Sequence, residues 1–296
     1  MKIKILSFFF AIMFLVSCNS SKKEDIQVLS VTIEPQRYFL EQIVGDKFSI
    51  NCVVPNGSNP ESFDMAPSQM IAISKSKAYF KVGFLGIENT WIKNIGENNP
   101  NISFIDCSEG INPIMEHDCD HEGHEHGHAH HGHEGGVDPH TWSSPASARV
   151  LVDNMYKAVI EIDSLNKDYY NENYARVINE INATDSIIKS YIDKAPGRSF
   201  VIFHPALSYF SQEYGLEQLT IEHEGKNPSP TQLKKLVDKA KQDNVKAVFI
   251  QQEFDPKNSE TVANELGVKP IPINLLSYDW SAEMIKIAKA IAGKNE

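Results

Sequence analysis

Positive charge is scarce in this sequence, since 28 lysine and arginine residues face 39 acidic residues and leave a formal charge of −11. A chain this acidic is poorly suited to bind nucleic acid or to adhere electrostatically to anionic lipid. Long apolar runs are absent beyond the amino terminus, so no second segment approaches the length that spans a bilayer. The H-E-x-x-H pattern of zinc hydrolases occurs only at His124–His128, inside a histidine-rich segment that lacks the apolar periodicity of a helix. With 41% hydrophobic residues among 296, the chain can still form two modest domains or one large one.

The amino terminus has the features of a secretory signal. A charged start is followed by an apolar run, Ile5–Val16, that is too short to span a membrane. The tetrapeptide Leu15–Cys18 resembles a bacterial lipobox, in which the cysteine is lipidated and becomes the first mature residue. We therefore predict a signal peptide over residues 1–17, a lipidated Cys18 and a flexible polar tether over residues 18–26. The chain would be lipid-anchored in the cell envelope, periplasmic or on the outer face of the membrane, with an ordinary secretory signal as the alternative.

Histidine is concentrated in one segment of nineteen residues, Glu116–Glu134, which holds eight histidines and six acidic residues. Imidazole is a common ligand of transition metals, and carboxylates or the Cys119 thiol could complete such a shell. Because the segment has no apolar periodicity, it predicts a loop that collects metal with low affinity. A solvated polar insertion is the alternative. The predicted loop spans residues 117–136, and its candidate ligands are His117, His121, His124, His126, His128, His130, His131 and His133.

Strand-like and helix-like runs alternate on both sides of one long helical segment. The alternation precedes the histidine-rich loop and returns between Ser199 and Ile291, which predicts an α/β fold with mostly parallel sheets. Between the two sets, residues 166–193 contain almost no helix breakers and carry apolar side chains at three- and four-residue spacing. We therefore predict an amino-terminal lobe over residues 27–165, a connecting helix over 166–194 and a carboxy-terminal lobe over 195–296.

Two cysteines, Cys52 and Cys107, each end a strand-like run. If the two strands are neighbours, a disulfide can form in an oxidising compartment. Two buried free thiols are the equally plausible alternative.

Only three histidines lie outside the loop. His204 directly follows the strand-like run that begins at Ser199, and His140 lies in a turn that leads into a helix. Ligand sites in α/β folds lie past the carboxyl ends of strands, so both are candidate metal ligands, although a single histidine is more often a surface or core residue. His223 is predicted to lie at the surface, with a supporting role near the site as the alternative.

Four motifs follow one another along the chain. The stretch Asp138–Pro145 matches D-P-H-x-W-x-x-P, and Pro55–Pro67 is similar to P-x-G-x-x-P-H-x-Y-E-P-x-P. Phe203–Phe210 matches H-x-A-x-x-Y-F, and Asn227–Pro230 resembles an E-P-S-P turn. With the histidine-rich loop just before D-P-H, the chain resembles the ZnuA-like (cluster A-I) zinc- and manganese-binding lipoproteins of bacterial ABC importers over nearly its whole mature length. This resemblance implies a metal site in the cleft between two lobes.

The resemblance also implies a set of ligands. His140 and His204 match two ligands of the family, whereas Glu61 stands where the family usually has histidine. Two histidines and one glutamate with an open fourth position form a chemically sound zinc site. Asn274 stands where some members have an aspartate ligand and is at best a weak one. Asp279, a loop histidine or water are the candidates to replace it.

Ligand softness favours zinc as the bound metal, because two imidazoles and one carboxylate suit Zn²⁺, with Mn²⁺ as the alternative. Gln251 stands where the family has a glutamate at a strand end, so that charge is expected to be missing.

The function implied by the resemblance is that of a receptor, not an enzyme. It would capture zinc outside the cytoplasm with high affinity and deliver it, as a monomer, to an ABC permease. The alternatives are a manganese receptor or adhesin, and a metal buffer without a transporter. A metal-dependent hydrolase is disfavoured, because no H-E-x-x-H pattern in a helical segment supplies a general base beside the metal.

Overall fold

The structure, a computed structural model, describes residues 26–115, 136–222 and 225–294. Its strands are β1 (Gln27–Val31), β2 (Phe48–Cys52), β3 (Ala78–Lys81), β4 (Ser103–Asp106), β5 (Ser199–Ile202), β6 (Glu217–Thr220), β7 (Val248–Gln251) and β8 (Pro270–Ile273). Its α-helices are α1 (Glu34–Val44), α2 (Pro67–Ser74), α3 (Gly86–Asn98), α4 (Pro145–Ile162), α5 (Lys167–Ile192), α6 (Ser208–Tyr214), α7 (Pro230–Gln242), α8 (Lys257–Leu266) and α9 (Trp280–Ile291).

The strands form two four-stranded sheets with the same topology. The first sheet has the order β2-β1-β3-β4 and the second β6-β5-β7-β8, and every pair is parallel. Helices connect successive strands, as parallel pairing requires. In each sheet, strands are added towards one edge and then towards the other, so the strand order reverses between the two central strands. Ligands bind past the carboxyl ends of strands at such a switch point. The predicted α/β fold with two parallel-sheet lobes is confirmed.

The long helix α5 joins the two sets of strands, as the sequence predicts. Its 26 residues span roughly 39 Å at a rise of 1.5 Å per residue. Val177, Ile181 and Ile188 of the predicted apolar stripe are buried, and the helix packs against α1 and α4 on one side and α9 on the other. Its Glu180 accepts hydrogen bonds from Tyr38 of α1 at 2.5 Å and from Ser281 of α9 at 2.6 Å. One helix therefore holds elements of both lobes.

Two buried tryptophans join the lobes on the side of the cleft. The Trp142 indole N–H donates to the Leu275 carbonyl oxygen at 2.8 Å, and the Trp280 indole N–H donates to the Trp142 carbonyl oxygen at 2.7 Å. The Trp280 ring also packs against Phe39 of α1, with centroids 5.2 Å apart. These contacts tie the segment after β8 to the amino-terminal lobe, so large hinge motions would have to break buried hydrogen bonds.

The cysteines within the described residues are free thiols. Cys52 ends β2 and Cys107 follows β4, and these strands lie at opposite edges of the first sheet. A disulfide needs Cα atoms within about 7 Å, so this separation excludes the pairing that the sequence left open. Cys18 and Cys119 lie outside the described residues.

No helix in the described ranges combines the length and apolarity that crossing a bilayer requires.

Candidate metal centre

Three of the predicted ligands meet between the two sheets. The ligand atoms of Glu61, His140 and His204 all lie within 4.8 Å of one another. The Glu61 Oε1 atom is 3.1 Å from His140 Nε2 and 2.9 Å from His204 Nε2, and the two imidazole centroids are 5.1 Å apart. These residues come from three separate segments of the chain, so only the tertiary fold brings them together.

Glu61 lies in the loop that follows β2. Its backbone N–H donates to Asn59 Oδ1 at 2.8 Å, which shapes the turn that presents the side chain. Earlier in the same loop, Gly57 has φ of +83°, a conformation that favours glycine. A Cβ atom at this position would lie 3.2 Å from Nε2 of Gln252, which belongs to the other lobe. The Pro–Asn–Gly turn thus brings the Glu61 loop close to the carboxy-terminal lobe.

The His140 ring is oriented by a buried aspartate. Asp138 Oδ1 accepts hydrogen bonds from both the backbone N–H and the Nδ1–H of His140, each at 2.8 Å. The Nε2 atom is therefore the one presented to Glu61. Carboxylates that hold the distal nitrogen of a ligating histidine raise its basicity and fix its tautomer. Asp138 belongs to the D-P-H motif, but its role in orienting His140 is not predicted by the motif.

His204 has an equivalent arrangement. Its Nδ1–H donates to Glu222 Oε1 at 2.7 Å, and its backbone N–H donates to Gln251 Oε1 at 2.7 Å. The Phe254 ring lies over the imidazole, with centroids 5.3 Å apart and an interplanar angle of 26°. Gln251 thus anchors the His204 backbone. Glu222 was missed in the sequence, although it follows β6, the neighbour of the strand that precedes His204.

Burial and hydrogen bonds shift the pKa values of all three residues in the metal-free cluster. Burial opposes ionisation of Glu61, but hydrogen bonds from His140 and His204 outweigh it and lower the pKa of this carboxyl. Burial also opposes protonation of His140, yet Asp138 and Glu61 raise its pKa to about 10. The pKa of His204 is likewise raised against burial by Glu222 and Glu61. In the metal-free cluster both shifts favour the protonated form of the imidazole beside the Glu61 carboxylate, and a bound cation competes with those protons.

A cavity of about 20 Å³ adjoins the two histidines, with room for one water-sized species. Its lining includes Glu253, which the sequence analysis did not single out. The Glu253 Oε1 atom is buried and accepts no hydrogen bond from the residues that the structure describes. Burial raises the pKa of this carboxyl, while His140 and His204 act against that shift. Its place in the sequence could have identified Glu253 as a candidate site residue, because it comes two residues after the end of β7.

The structure does not bring the two candidates for a fourth ligand into this cluster. Asn274 Oδ1 accepts from the Leu276 N–H at 3.0 Å, and its Nδ2 donates to Asn56 Oδ1 at 3.1 Å. Asp279 Oδ1 accepts from the Ala282 N–H at 3.1 Å and caps the amino terminus of α9. Each side chain is thus engaged in local structure, and the assignment of either residue as fourth ligand stays a prediction.

Several predicted sites lie outside the described residues, namely Cys18, His223 and the eight loop histidines. The two ends of the loop are described. Met115 and Val137 form an antiparallel bridge, and the Asp138 N–H donates to the Ile114 carbonyl oxygen at 2.8 Å. The chain therefore leaves and re-enters the lobe at adjacent points, directly before the residues that orient His140.

The residues present fit a divalent transition metal. Two Nε2 atoms and one carboxylate oxygen, with both distal nitrogens held by carboxylates, form a recognised zinc donor set. In a tetrahedral zinc site with bonds of about 2.0–2.1 Å the ligand atoms are roughly 3.3 Å apart, so the distances of 2.9 and 3.1 Å need only a small expansion.

Comparison with known proteins gives the same picture over residues 29–292. The family model described as "Zinc-uptake complex component A periplasmic" matches residues 29–292. The "High-affinity zinc uptake system protein ZnuA" of Bacillus subtilis is 29% identical, with 86% of this chain and 80% of that protein covered. The "Manganese ABC transporter substrate-binding lipoprotein PsaA" of Streptococcus anginosus is 24% identical, with 89% and 86% covered.

Among solved structures, a crystal structure of ZnuA matches with a TM-score of 0.81 and 32% identity, and the match covers 92% of this chain and 100% of that one. The similarity extends through both lobes and the helix between them. The chain therefore belongs to the ZnuA family of metal-binding, substrate-binding components of ABC importers, which are receptors and not enzymes, as the sequence motifs predict.

Proposed function

We propose that this protein captures zinc with high affinity between its two lobes and delivers it to an ABC permease. The observation that carries the proposal is the convergence of Glu61, His140 and His204, whose ligand atoms lie within 4.8 Å. Asp138 and Glu222 support it, because each holds the distal nitrogen of one histidine. Structural zinc sites are closed by four protein ligands, whereas a cargo site has to release its ion. The cavity beside His140 and His204 leaves room for an exchangeable ligand.

Zinc is favoured over manganese by the two imidazole ligands, since manganese prefers sites dominated by oxygen. The relatives include proteins named for zinc and for manganese, so their names do not decide between the metals. The glutamate at position 61 increases the share of oxygen ligands and makes manganese the second candidate.

The test is a competitive titration of the chain without residues 1–17 and 117–136, with zinc and manganese each competing against a chelator. We expect one tight zinc site, with manganese bound more weakly. Glu61→Ala and His204→Ala should each abolish tight binding, while Glu260→Ala, an exposed glutamate on α8, should leave it unchanged. Absence of a tight site in the parent would refute capture, and tighter manganese binding would establish the manganese receptor.

The histidine-rich loop is proposed to be a low-affinity collector. Its ends meet at the Met115–Val137 bridge, so a short turn can replace it without moving the lobe. The deletion should reduce the number of zinc ions bound in calorimetry and preserve the tight site. Loss of the tight site on deletion would mean that a loop histidine ligates the cargo.

Anchoring through a lipid on Cys18 and docking on a permease complete the proposal. Incorporation of labelled palmitate into the wild-type chain, and not into Cys18→Ser, would establish the anchor. Stimulation of a partner ATPase by the metal-loaded chain would establish the docking.

A further inference from the structure

The cavity beside the histidines is lined by a carboxyl group with one oxygen that has no hydrogen-bond partner among the described residues. Asp138 and Glu222 are each bonded to a histidine ring, and Glu61 lies between both rings. By contrast, the buried Glu253 Oε1 atom has no hydrogen-bond partner among the described residues, although the side chain lines the cavity. A buried carboxylate oxygen without a donor costs free energy, so its retention calls for a ligand.

The position of Glu253 in the fold is that of a ligand-binding residue. It follows β7 by two residues, and His204 follows β5 by two residues. Strands β5 and β7 are the parallel central pair of the second sheet, where the strand order reverses. Side chains past the carboxyl ends of such a pair converge on the crevice where ligands bind in α/β sheets.

The neighbours of Glu253 hold this segment against the metal cluster. Gln251 accepts the His204 backbone N–H, and the Phe254 ring lies over the His204 imidazole. Both contacts join the residues flanking Glu253 to a metal ligand. The Glu253 oxygens are not part of the group within 4.8 Å, so a change of side-chain rotamer has to bring the carboxylate to the ion.

We propose that Glu253 supplies the fourth ligand of the cargo metal, and so gives this chain a set of two imidazoles and two carboxylates. The proposal rests on the proposed metal capture by Glu61, His140 and His204. It assigns the role left open by Asn274 and Asp279, whose side chains are engaged elsewhere. A second carboxylate raises the share of hard oxygen ligands, which widens the range of metals from zinc towards manganese.

The experiment uses the mature chain without residues 117–136, with Co²⁺ as a spectroscopic probe and Zn²⁺ and Mn²⁺ in chelator competition. The variants are Glu253→Ala, Glu253→Gln and the control Glu260→Gln, which changes an exposed glutamate on α8. His204→Ala is included to test the proposed capture itself. Thermal unfolding of each metal-free variant checks that it is folded.

We expect Glu253→Ala to weaken zinc binding by at least about tenfold, the lower end of what removing a supporting carboxylate costs. Manganese binding should fall by a larger factor, because hard cations depend more on carboxylates. The d–d bands of bound Co²⁺ should shift and change intensity in Glu253→Ala, because one ligand is replaced by water. Glu253→Gln should fall between this variant and the parent, and Glu260→Gln should match the parent.

Unchanged affinity and cobalt spectrum in Glu253→Ala, with binding lost in His204→Ala, would overturn the fourth-ligand assignment while the capture site stands. Weaker binding with an unchanged cobalt spectrum would also overturn it, since the carboxylate would then act only at a distance. If His204→Ala binds like the parent, the proposed capture site itself is wrong.

Discussion

Asp138 is the residue whose replacement tests most directly how the metal centre is built. Asp138→Asn keeps the shape and one acceptor oxygen but removes the charge beside His140. The side chain is only 6% exposed, and its bond to His140 Nδ1 is 2.8 Å long, so solvent screens the interaction little. A hydrogen bond to a charged group contributes about 1.5–3 kcal/mol net, which corresponds to roughly 10–100-fold in metal affinity. Loss of carboxylates that support ligating histidines costs a similar factor.

The size of this loss should depend on pH. In the metal-free protein Asp138 helps to raise the pKa of His140 to about 10, so zinc must displace a proton at neutral pH. Asp138→Asn lowers this pKa and makes the displacement easier, which offsets part of the loss. At pH 10 many molecules of the parent have already lost this proton. The zinc affinity of the variant should therefore fall further below that of the parent at pH 10 than at pH 7.

The assay is zinc competition against a chelator at pH 7 and pH 10, with the chain lacking residues 117–136. Asp185→Asn is the matched control, because Asp185 is also a buried aspartate with several partners, including Arg149 at 2.8 Å and Tyr214 at 2.9 Å, but lies on α5. Equal affinities of Asp138→Asn and the parent at both pH values would refute the reasoning. An equal loss in Asp185→Asn would show that the effect is a general loss of stability.

Three further predictions concern stability. The metal-free chain should lose stability as pH rises from 6.5 through 10, because the pKa of His140 is about 10 in the folded chain and 6.5 in the unfolded one. Calorimetry should show a smaller decline in His140→Gln. Burial raises the pKa of Glu88 from 4.5 to about 7, so the wild-type protein loses stability as pH rises between these values. Glu88→Gln does not titrate there. Between pH 4.5 and pH 8 its free energy of unfolding in urea should therefore rise by about 3 kcal/mol relative to that of wild type. Trp280→Phe leaves the buried Trp142 carbonyl oxygen without its donor and should cost about 1–3 kcal/mol in the same assay.

Each of these predictions has a contrary outcome. A decline with pH that is as steep in His140→Gln as in the parent would remove His140 as its cause. A difference between Glu88→Gln and wild type that is constant with pH would show that folding does not raise the pKa of Glu88. Trp91→Phe is the control for Trp280, since its indole N–H donates no hydrogen bond within the described ranges, and an equal cost in both variants would mean that the interlobe bond contributes nothing.

The sequence by itself determined most of the local structure. Alternating strand-like and helix-like runs predicted both sheets, and the breaker-free stretch from residue 166 to 193 predicted α5 within about a residue at each end. Periodicity and breakers are local signals, and the two lobes are built from regular, locally consistent elements.

The tertiary structure decided what converges on the metal. Glu61, His140 and His204 were identified because motifs mark them, but motifs do not show that Glu61 contacts both rings. Glu222 and Glu253 belong to no motif, and their roles follow from lying past the ends of β6 and β7, beside the strand that leads to His204.

The same principle applies where the sequence left alternatives open. Cys52 ends β2 and Cys107 follows β4, but strand order is a property of the folded sheet and puts these strands at opposite edges. Asp279 was a candidate ligand by residue type, but helix α9 uses its oxygen as a cap. Residue type and spacing thus determined which groups this chain has available, while the packing of two sheets against one helix decided which of them face one another, because contacts between distant segments exist only after folding.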